Sequence, residues 1–333
     1  MIDPIELTRR LVALQSPTGA EGPAVAHLAG VLEELGYGVT LQSVTPGRSN
    51  LYAFREIPEV VFSTHLDCVP PYLALSEDDE FIHGRGSCDA KGLAAAMVAA
   101  AERLAAAGER RIGLLFLVGE ENGSDGARAA AALGPKGRFL INGEPTENRL
   151  TIGQKGALGL HLRAEGRAAH SAYPEEGASA IVRLLAVLNR ICALPLPMDP
   201  LLGPATLNIG MLSGGVAPNV IPPAAEARVL IRSVGPTEAL KGAIAACLEP
   251  GVTVDFVGEI PAWKGAAPDG WASTVVSFAS DVPFLDAWGE RFQMGPGTIR
   301  VAHTDHERIS KQELLAGVEL YVKLAVDLLA RPR

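Results

Sequence analysis

Residues 112–125 read I-G-L-L-F-L-V-G-E-E-N-G-S-D. An apolar β-type run, 112–118, stops at a glycine, and two glutamates follow side by side. Neighbouring carboxylates repel each other, and each gains from water. Either the strand emerges into solvent there, or a cation sits at its end and uses both Glu120 and Glu121.

Working outward, apolar positions recur at helical spacing through 5–14 and 24–35, and shorter β-type runs follow at 39–44, 51–54 and 60–63. An alanine-rich helix is predicted over 93–107, with Gly108 as its stop signal. The strand 112–118, a helix near 126–133 and the strand 139–142 come next. Strands alternating with helices at this pitch predict a mixed, mostly parallel α/β sheet with helices on both faces. From about Gly153 the pattern becomes β-α-β-β-α-β: 158–164, 178–191, 205–212, 225–233, 237–248 and 252–257. That is the order of a small ferredoxin-like α+β unit. Past Lys264 the first style returns, with helices expected at 273–279 and 311–329. The economical organisation is one α/β domain built from 1–153 and 264–333, interrupted by an inserted domain at 154–263.

Composition narrows the function. The 333 residues are 48% hydrophobic and 20% charged with a net charge of −9, so no basic stripe is available for nucleic acid. The N-terminus lacks a signal-peptide pattern, and no uncharged apolar run reaches the ~18 residues of a membrane helix. The expectation is a soluble cytoplasmic protein with neither nucleic-acid nor membrane partners. Cys68, Cys88, Cys192 and Cys247 form no C-x-x-C pair and are expected to be reduced packing residues.

In open parallel sheets, ligands bind beyond the carboxyl ends of the strands. Four such ends carry a metal-type ligand or its support: 60–63 leads into Thr64-His65-Leu66-Asp67, 115–118 into Gly119-Glu120-Glu121, 139–141 into Asn142-Gly143-Glu144-Pro145, and 298–301 into Ala302-His303-Thr304-Asp305. Asp89 lies in G-R-G-S-C-D-A-K-G, directly before the alanine-rich helix. The dinucleotide fingerprint fails there, because the third position holds Asp89 rather than glycine, and no phosphate-binding loop occurs elsewhere. Two histidines and several carboxylates along one sheet edge suit zinc, with cobalt or manganese as substitutes.

Together, T-H-L-D, G-R-G-S-C-D-A-K-G, G-E-E-N, N-G-E-P-T and A-H-T-D resemble the di-zinc amidohydrolase and peptidase family. That family includes acetylornithine deacetylase, succinyl-diaminopimelate desuccinylase, aminoacylase and the carboxypeptidase G enzymes. The resemblance spans nearly the whole chain and implies two zinc ions. His65 and Glu144 would bind one, Glu121 and His303 the other, and Asp89 would bridge them. Asp67 would fix the tautomer of His65. Glu120 would stay unligated as the general base, passing a proton from water to the departing amine. By the same resemblance, His170 would reach the active site of a partner subunit and steady the oxyanion. Asn219 would lie at the substrate, and Arg232 would clamp its carboxylate. Gly297 could offer its amide to a carboxylate, or simply form a turn.

The implied activity is hydrolysis of an N-acyl amino acid or dipeptide by a homodimer joined through the inserted dimerisation or lid domain. The G-P-G-x-x-x-x-A-H-T spelling is most similar to the acetylornithine deacetylase branch, which would place the protein in amino-acid biosynthesis. Desuccinylase, dipeptidase, carboxypeptidase and carrier-protein-linked lysine or ornithine hydrolase remain open. So does a non-catalytic metal-binding protein on this fold, although an unligated Glu120 is of no use to one. Lys91, His306, Trp263, Trp271 and Trp288 are expected to be structural or solvated.

Overall fold

In the computed structural model, which describes residues 2–332, the apolar run is the strand Ile112–Leu117, an inner strand of a six-stranded sheet. The order across the sheet is Gly38–Thr45, Arg48–Phe54, Ile112–Leu117, Val60–His65, Phe139–Asn142 and Glu290–Gln293. The last four strands are mutually parallel, and the first two join antiparallel. An unbroken apolar run follows from this position. Successive side chains point to opposite faces, and both faces here are covered. Ile112, Leu114 and Phe116 face one core cluster, whereas Leu115 and Leu117 face another with Tyr52, Leu140 and Trp288.

The helix Lys91–Ala106 packs on the first face, against Val60–His65 and Ile112–Leu117. Its run of alanines is buried, and side chains that small let a helix lie close to a sheet. The helices Pro4–Val12 and Lys311–Leu329 pack against this helix, the latter also reaching the sheet where Tyr321 meets Phe62. On the opposite face, the helix Asp125–Ala130 and the 3-10 segment Val282–Trp288 contribute Ala127, Ala130, Leu285 and Trp288. Each fully buried large apolar side chain stabilises the fold by roughly 1.5–3 kcal/mol.

The chain divides into two units. One runs to Ile152 and adds Lys264–Thr274 and the chain from Ser280; the other comprises Gly153–Trp263 and Val275–Ala279. The second unit holds a four-stranded antiparallel sheet ordered Thr206–Gly214, Ala224–Arg232, Ala157–Glu165 and Val252–Ile260. The helices Ala180–Cys192 and Glu238–Ala246 supply Leu184, Val187, Leu188, Leu240 and Ile244 to its core. This is the ferredoxin-like order.

Two expectations are corrected. Residues 273–279 do not form a helix; Ser273–Val276 is a short strand. Its Ser-Thr-Val-Val run carries three β-branched residues, which favour a pleated backbone. Residues 298–301 do not form a strand either. The sheet ends at Glu290–Gln293, and the chain beyond turns repeatedly after Gly295-Pro296-Gly297. Cys192 is exposed, unlike the other three cysteines. The tryptophans serve separate places: Trp288 and Trp271 pack on different core clusters of the first unit, and Trp263 belongs to the second. No helix among the described residues is long and apolar enough to cross a membrane.

Candidate metal centre

The parallel strands end side by side, and the turns beyond them carry the candidate ligands. His65 closes the strand Val60–His65 and is almost fully buried. Its Nδ1 lies 3.0 Å from the backbone carbonyl of Asp67 and 3.4 Å from Asp67 Oδ1, which leaves Nε2 pointing at Asp89 Oδ1, 3.0 Å away. The other Asp89 oxygen, Oδ2, lies 3.4 Å from His303 Nε2, and that same nitrogen is 3.0 Å from Glu121 Oε1. Asp89 therefore stands between two imidazoles, one oxygen toward each. His303 reaches the site from the turns after Gly297 rather than from a strand end, with a left-handed φ of +62°.

Two groups converge on the shared aspartate. His65, Asp89 and Glu144 bring ligand atoms within 4.8 Å of one another, as do Asp89, Glu121 and His303. Asn142 Nδ2 donates to Glu144 Oε1 at 3.5 Å, orienting that carboxylate. Burial crowds these carboxyls together, and their charges oppose one another. Burial and the nearby Glu144 charge hold the Glu120 carboxyl well above the usual carboxylate range. Burial and Asp89 do the same to Glu144. Burial opposes the Asp89 charge too, but hydrogen bonds to His303 and His65 outweigh it and keep this carboxyl low. Hydrogen bonds to Asp89 and Glu121 push His303 up to about 10. Two imidazoles and three ligand carboxylates form a mixed N/O donor set that fits two divalent ions sharing one carboxylate. The Glu120 side chain makes no hydrogen bond to another described residue.

The turn bearing Glu120 and Glu121 is held from two sides. Asp67, fully buried, accepts the Glu120 N–H at 3.1 Å and the Glu121 N–H at 3.2 Å, and takes a further bond from Thr18 Oγ1 at 2.7 Å. On the other side, Arg48 bridges the buried Glu21 and Asp125 at 2.8 and 2.5 Å. Gly119 fits between these because it has no side chain. Its φ is +76°, and a Cβ there would lie 1.9 Å from Asp125 Oδ1.

The remaining expected site residues divide by position. His170 and Asn219 come together on the second unit: His170 forms an isolated bridge with Val220, and the Ser171 N–H donates to the Asn219 carbonyl at 3.0 Å. Both side chains are exposed. Arg232 ends the strand Ala224–Arg232, about 26 Å along it from Ala224, the end that follows the 219–223 loop. Gly297 is buried with φ +89°, and its carbonyl accepts the Glu147 N–H at 2.8 Å. Lys91 is buried and donates to the Leu14 carbonyl at 2.6 Å, and His306 is exposed.

Sequence reasoning missed Glu307, Arg85, Thr18, Arg48 and Asp281. Glu307 had a signal, since it stands four residues after His303 in A-H-T-D-H-E. Asp281 had none. It is 2% exposed, and neither carboxylate oxygen has a well-formed hydrogen bond among the described residues. Burial pushes it up to about 7, and the Ser124 hydroxyl lowers it only in part.

Comparisons with known proteins show the family and the fold. A protein of Aspergillus clavatus named "Probable carboxypeptidase" is 38% identical over 98% of this chain and 82% of its own length. An M20 family metallo-carboxypeptidase from Sulfolobus solfataricus shares the fold with a TM-score of 0.80 at 15% identity, covering 98% of this chain and 99% of that one. A Bacillus subtilis protein described as a dinuclear metal binding peptidase superposes with a TM-score of 0.68 at 16% identity, over 98% of this chain and 97% of that one. The description "Peptidase family M20/M25/M40" matches residues 61–327. The chain thus belongs to the M20/M25/M40 peptidase family, metal-dependent hydrolases that act on peptides or amides.

Proposed function

We propose that this protein hydrolyses the amide bond beside a free carboxylate in a dipeptide, a short peptide or an N-acylated amino acid, using two zinc ions. His65, Asp89 and Glu144 would hold one ion; Asp89, Glu121 and His303 would hold the other. When bound, such a pair polarises the scissile carbonyl and makes a water acidic enough to lose a proton near neutral pH. Glu120 accepts that proton and delivers it to the departing amine. Its raised pKa in the metal-free site suits a group that must both take and give a proton. Asp67 holds the Nδ1 side of His65 and, through two backbone amides, the turn that presents Glu120. Arg232 clamps the substrate carboxylate, and Asn219 contacts the substrate.

His170 steadies the oxyanion from a second copy of the chain. A homodimer is supported by two features of the second unit. His170 and Asn219 sit at the opposite end of a strand from Arg232, so this unit does not bring all three to one substrate. The strand Thr206–Gly214 is also a sheet edge that exposes Met211 (64%) and Leu212 (52%), beside Val216 (77%). Unpaired apolar edges of this kind are ready to pair.

The name carried by the 38%-identical relative favours carboxypeptidase action over acetylornithine deacetylation, which rests on a short spelling alone. The observation that carries the reading is Asp89 shared between two imidazoles, with an unligated Glu120 beside them. Zinc-loaded protein screened against dipeptides and acetyl-, succinyl- and glutamyl-amino acids tests the substrate class. Glu120→Gln tests the mechanism: turnover should vanish while zinc content stays at the wild-type level. Equal turnover in both proteins would remove Glu120 from the chemistry. Zinc binding without turnover of any of these substrates by the wild type would favour the non-catalytic reading.

A further inference from the structure

Glu307 is 1% exposed, and its carboxylate is fully engaged. Oε2 accepts from Arg85 Nη1 at 2.5 Å. Oε1 accepts three backbone amides of one turn: Gly86 at 2.8 Å, Asp89 at 3.2 Å and Cys88 at 3.3 Å. The Glu307 carbonyl also accepts the Gly84 N–H at 3.1 Å, and Arg85 Nε donates to the Pro71 carbonyl at 3.2 Å. The turn 84–89 is therefore wrapped around one carboxylate from a segment more than two hundred residues away. Gly86 permits the wrap: its φ is +84°, and a Cβ would lie 2.5 Å from Cys68 Sγ.

A buried ion pair is a costly way to stabilise a fold, because desolvation consumes much of its attraction. It makes sense where geometry is the product. Here the amide held by Oε1 belongs to Asp89, and the segment that supplies Glu307 also supplies His303, four residues earlier. We propose that Glu307 is a positioning residue of the metal centre, locking the turn that presents Asp89 to the turn that presents His303. Loss of this lock weakens the Asp89–Glu121–His303 site more than the His65–Asp89–Glu144 site, because the former depends on both turns.

This rests on the two-ion reading, and the experiment separates the two. Chelator-stripped wild type, Glu307→Gln and Glu59→Gln are titrated with zinc by calorimetry and by competition with a chromophoric chelator. Glu59 is a buried carboxylate paired with Arg111 and Arg138 at the amino end of the strand Val60–His65, away from the ligands. Failure of the wild type to bind two zinc equivalents sinks the two-ion reading itself. Given two equivalents, Glu307→Gln should lose 10- to 100-fold in affinity for one of them, with kcat reduced and KM within twofold of wild type. Glu59→Gln should keep both affinities. Equal zinc affinities in wild type and Glu307→Gln, with only thermal stability lowered, would overturn the proposal. A second measurement needs no variant. The amides of Gly86, Cys88 and Asp89 in metal-free wild type should exchange with deuterium as slowly as those of the strand Val60–His65. Exchange at the rate of exposed loops would equally overturn it.

Discussion

Raising the pH from 6 to 8 should tighten zinc binding at the site containing His303 by as much as about 100-fold. An imidazole must be neutral to ligate a metal. In the metal-free protein His303 lies 3.0 Å from Glu121 and 3.4 Å from Asp89, and these carboxylates push it up to about 10. The ion bound here then displaces the His303 proton, and the apparent association constant scales inversely with one plus the ratio of protons to the acid constant. For a pKa of 10 the gain between pH 6 and 8 is about 100-fold; for an ordinary histidine at 6.5 it is only about fourfold. The ring is 47% exposed, so solvent screens the carboxylates. About 100-fold is therefore the upper figure for the gain, and any gain well above fourfold keeps the ion-pair account. His65, raised by Asp67 and Asp89 against its burial, makes the same demand at the other site. The assay is competition with a chelator of known proton dependence, repeated in buffers of different ionisation enthalpy to count released protons. The His303 ring-proton resonance in metal-free protein gives an independent reading, and it should not titrate between pH 5.5 and 7. A fourfold rise, or a midpoint near 6.5, would refute the ion-pair account of the metal-free site.

Gly119→Ala should lower stability by roughly 3 kcal/mol in denaturant titration and abolish turnover, because the new Cβ collides with Asp125 and a non-glycine residue is forced to positive φ. A variant of wild-type stability would show that this turn relaxes freely. Asp281→Asn should stabilise the metal-free protein. The folded state raises this carboxyl to about 7 from an unfolded value near 3.8, so its penalty grows as pH rises from about 4 to 7 and then levels off. The gain at pH 8 should exceed that at pH 5 by roughly 2–3 kcal/mol, and a pH-independent difference would contradict it. Met211→Lys with Leu212→Glu should convert a dimer into monomers in sedimentation velocity; a wild type already monomeric at micromolar concentration would end the dimer proposal.

The fold was legible where periodicity and length agreed. The strands Ile112–Leu117 and Phe139–Asn142 and the helix Lys311–Leu329 read cleanly because each combines an apolar run with a clear stop. Residues 273–279 misled because alternation and helical spacing cannot be told apart over so few positions. At the centre, the segments ending at His65, Glu120–Glu121, Glu144 and His303 and the turn of Asp89 stood out, but which of their side chains would ligate came only from the family resemblance. The route to His303 was not legible, since β-branched residues at 298–301 look like a strand and only the preceding Gly-Pro-Gly turns them aside. Glu307 and Arg85 stayed hidden for a different reason. Their significance lies in contacts with each other and with backbone amides, and beyond the place of Glu307 four residues after His303 nothing local marks a clamping glutamate.

Metal ligands on loops raise a physical problem, because loops are the mobile parts of a fold. Packing alone cannot fix them, since the side chains that matter are polar and face the site. Here the solution is a further layer of carboxylates that ligate nothing. Asp67 takes the amides of Glu120 and Glu121, Glu307 takes those of Gly86, Cys88 and Asp89, and Asp125 holds Arg48 against Glu21. Each converts unpaired loop N–H groups or a guanidinium into a defined geometry, and charge-assisted bonds of this kind are stronger than neutral ones. The protons of Glu120 and Glu144 have a different origin: burial first, then the neighbouring carboxylates Glu144 and Asp89 respectively, hold both carboxyls well above the usual range before any cation arrives. Rigidity of the loops and appetite for divalent ions thus have separate sources: an outer layer of clamping carboxylates for the first and buried, crowded carboxyls for the second.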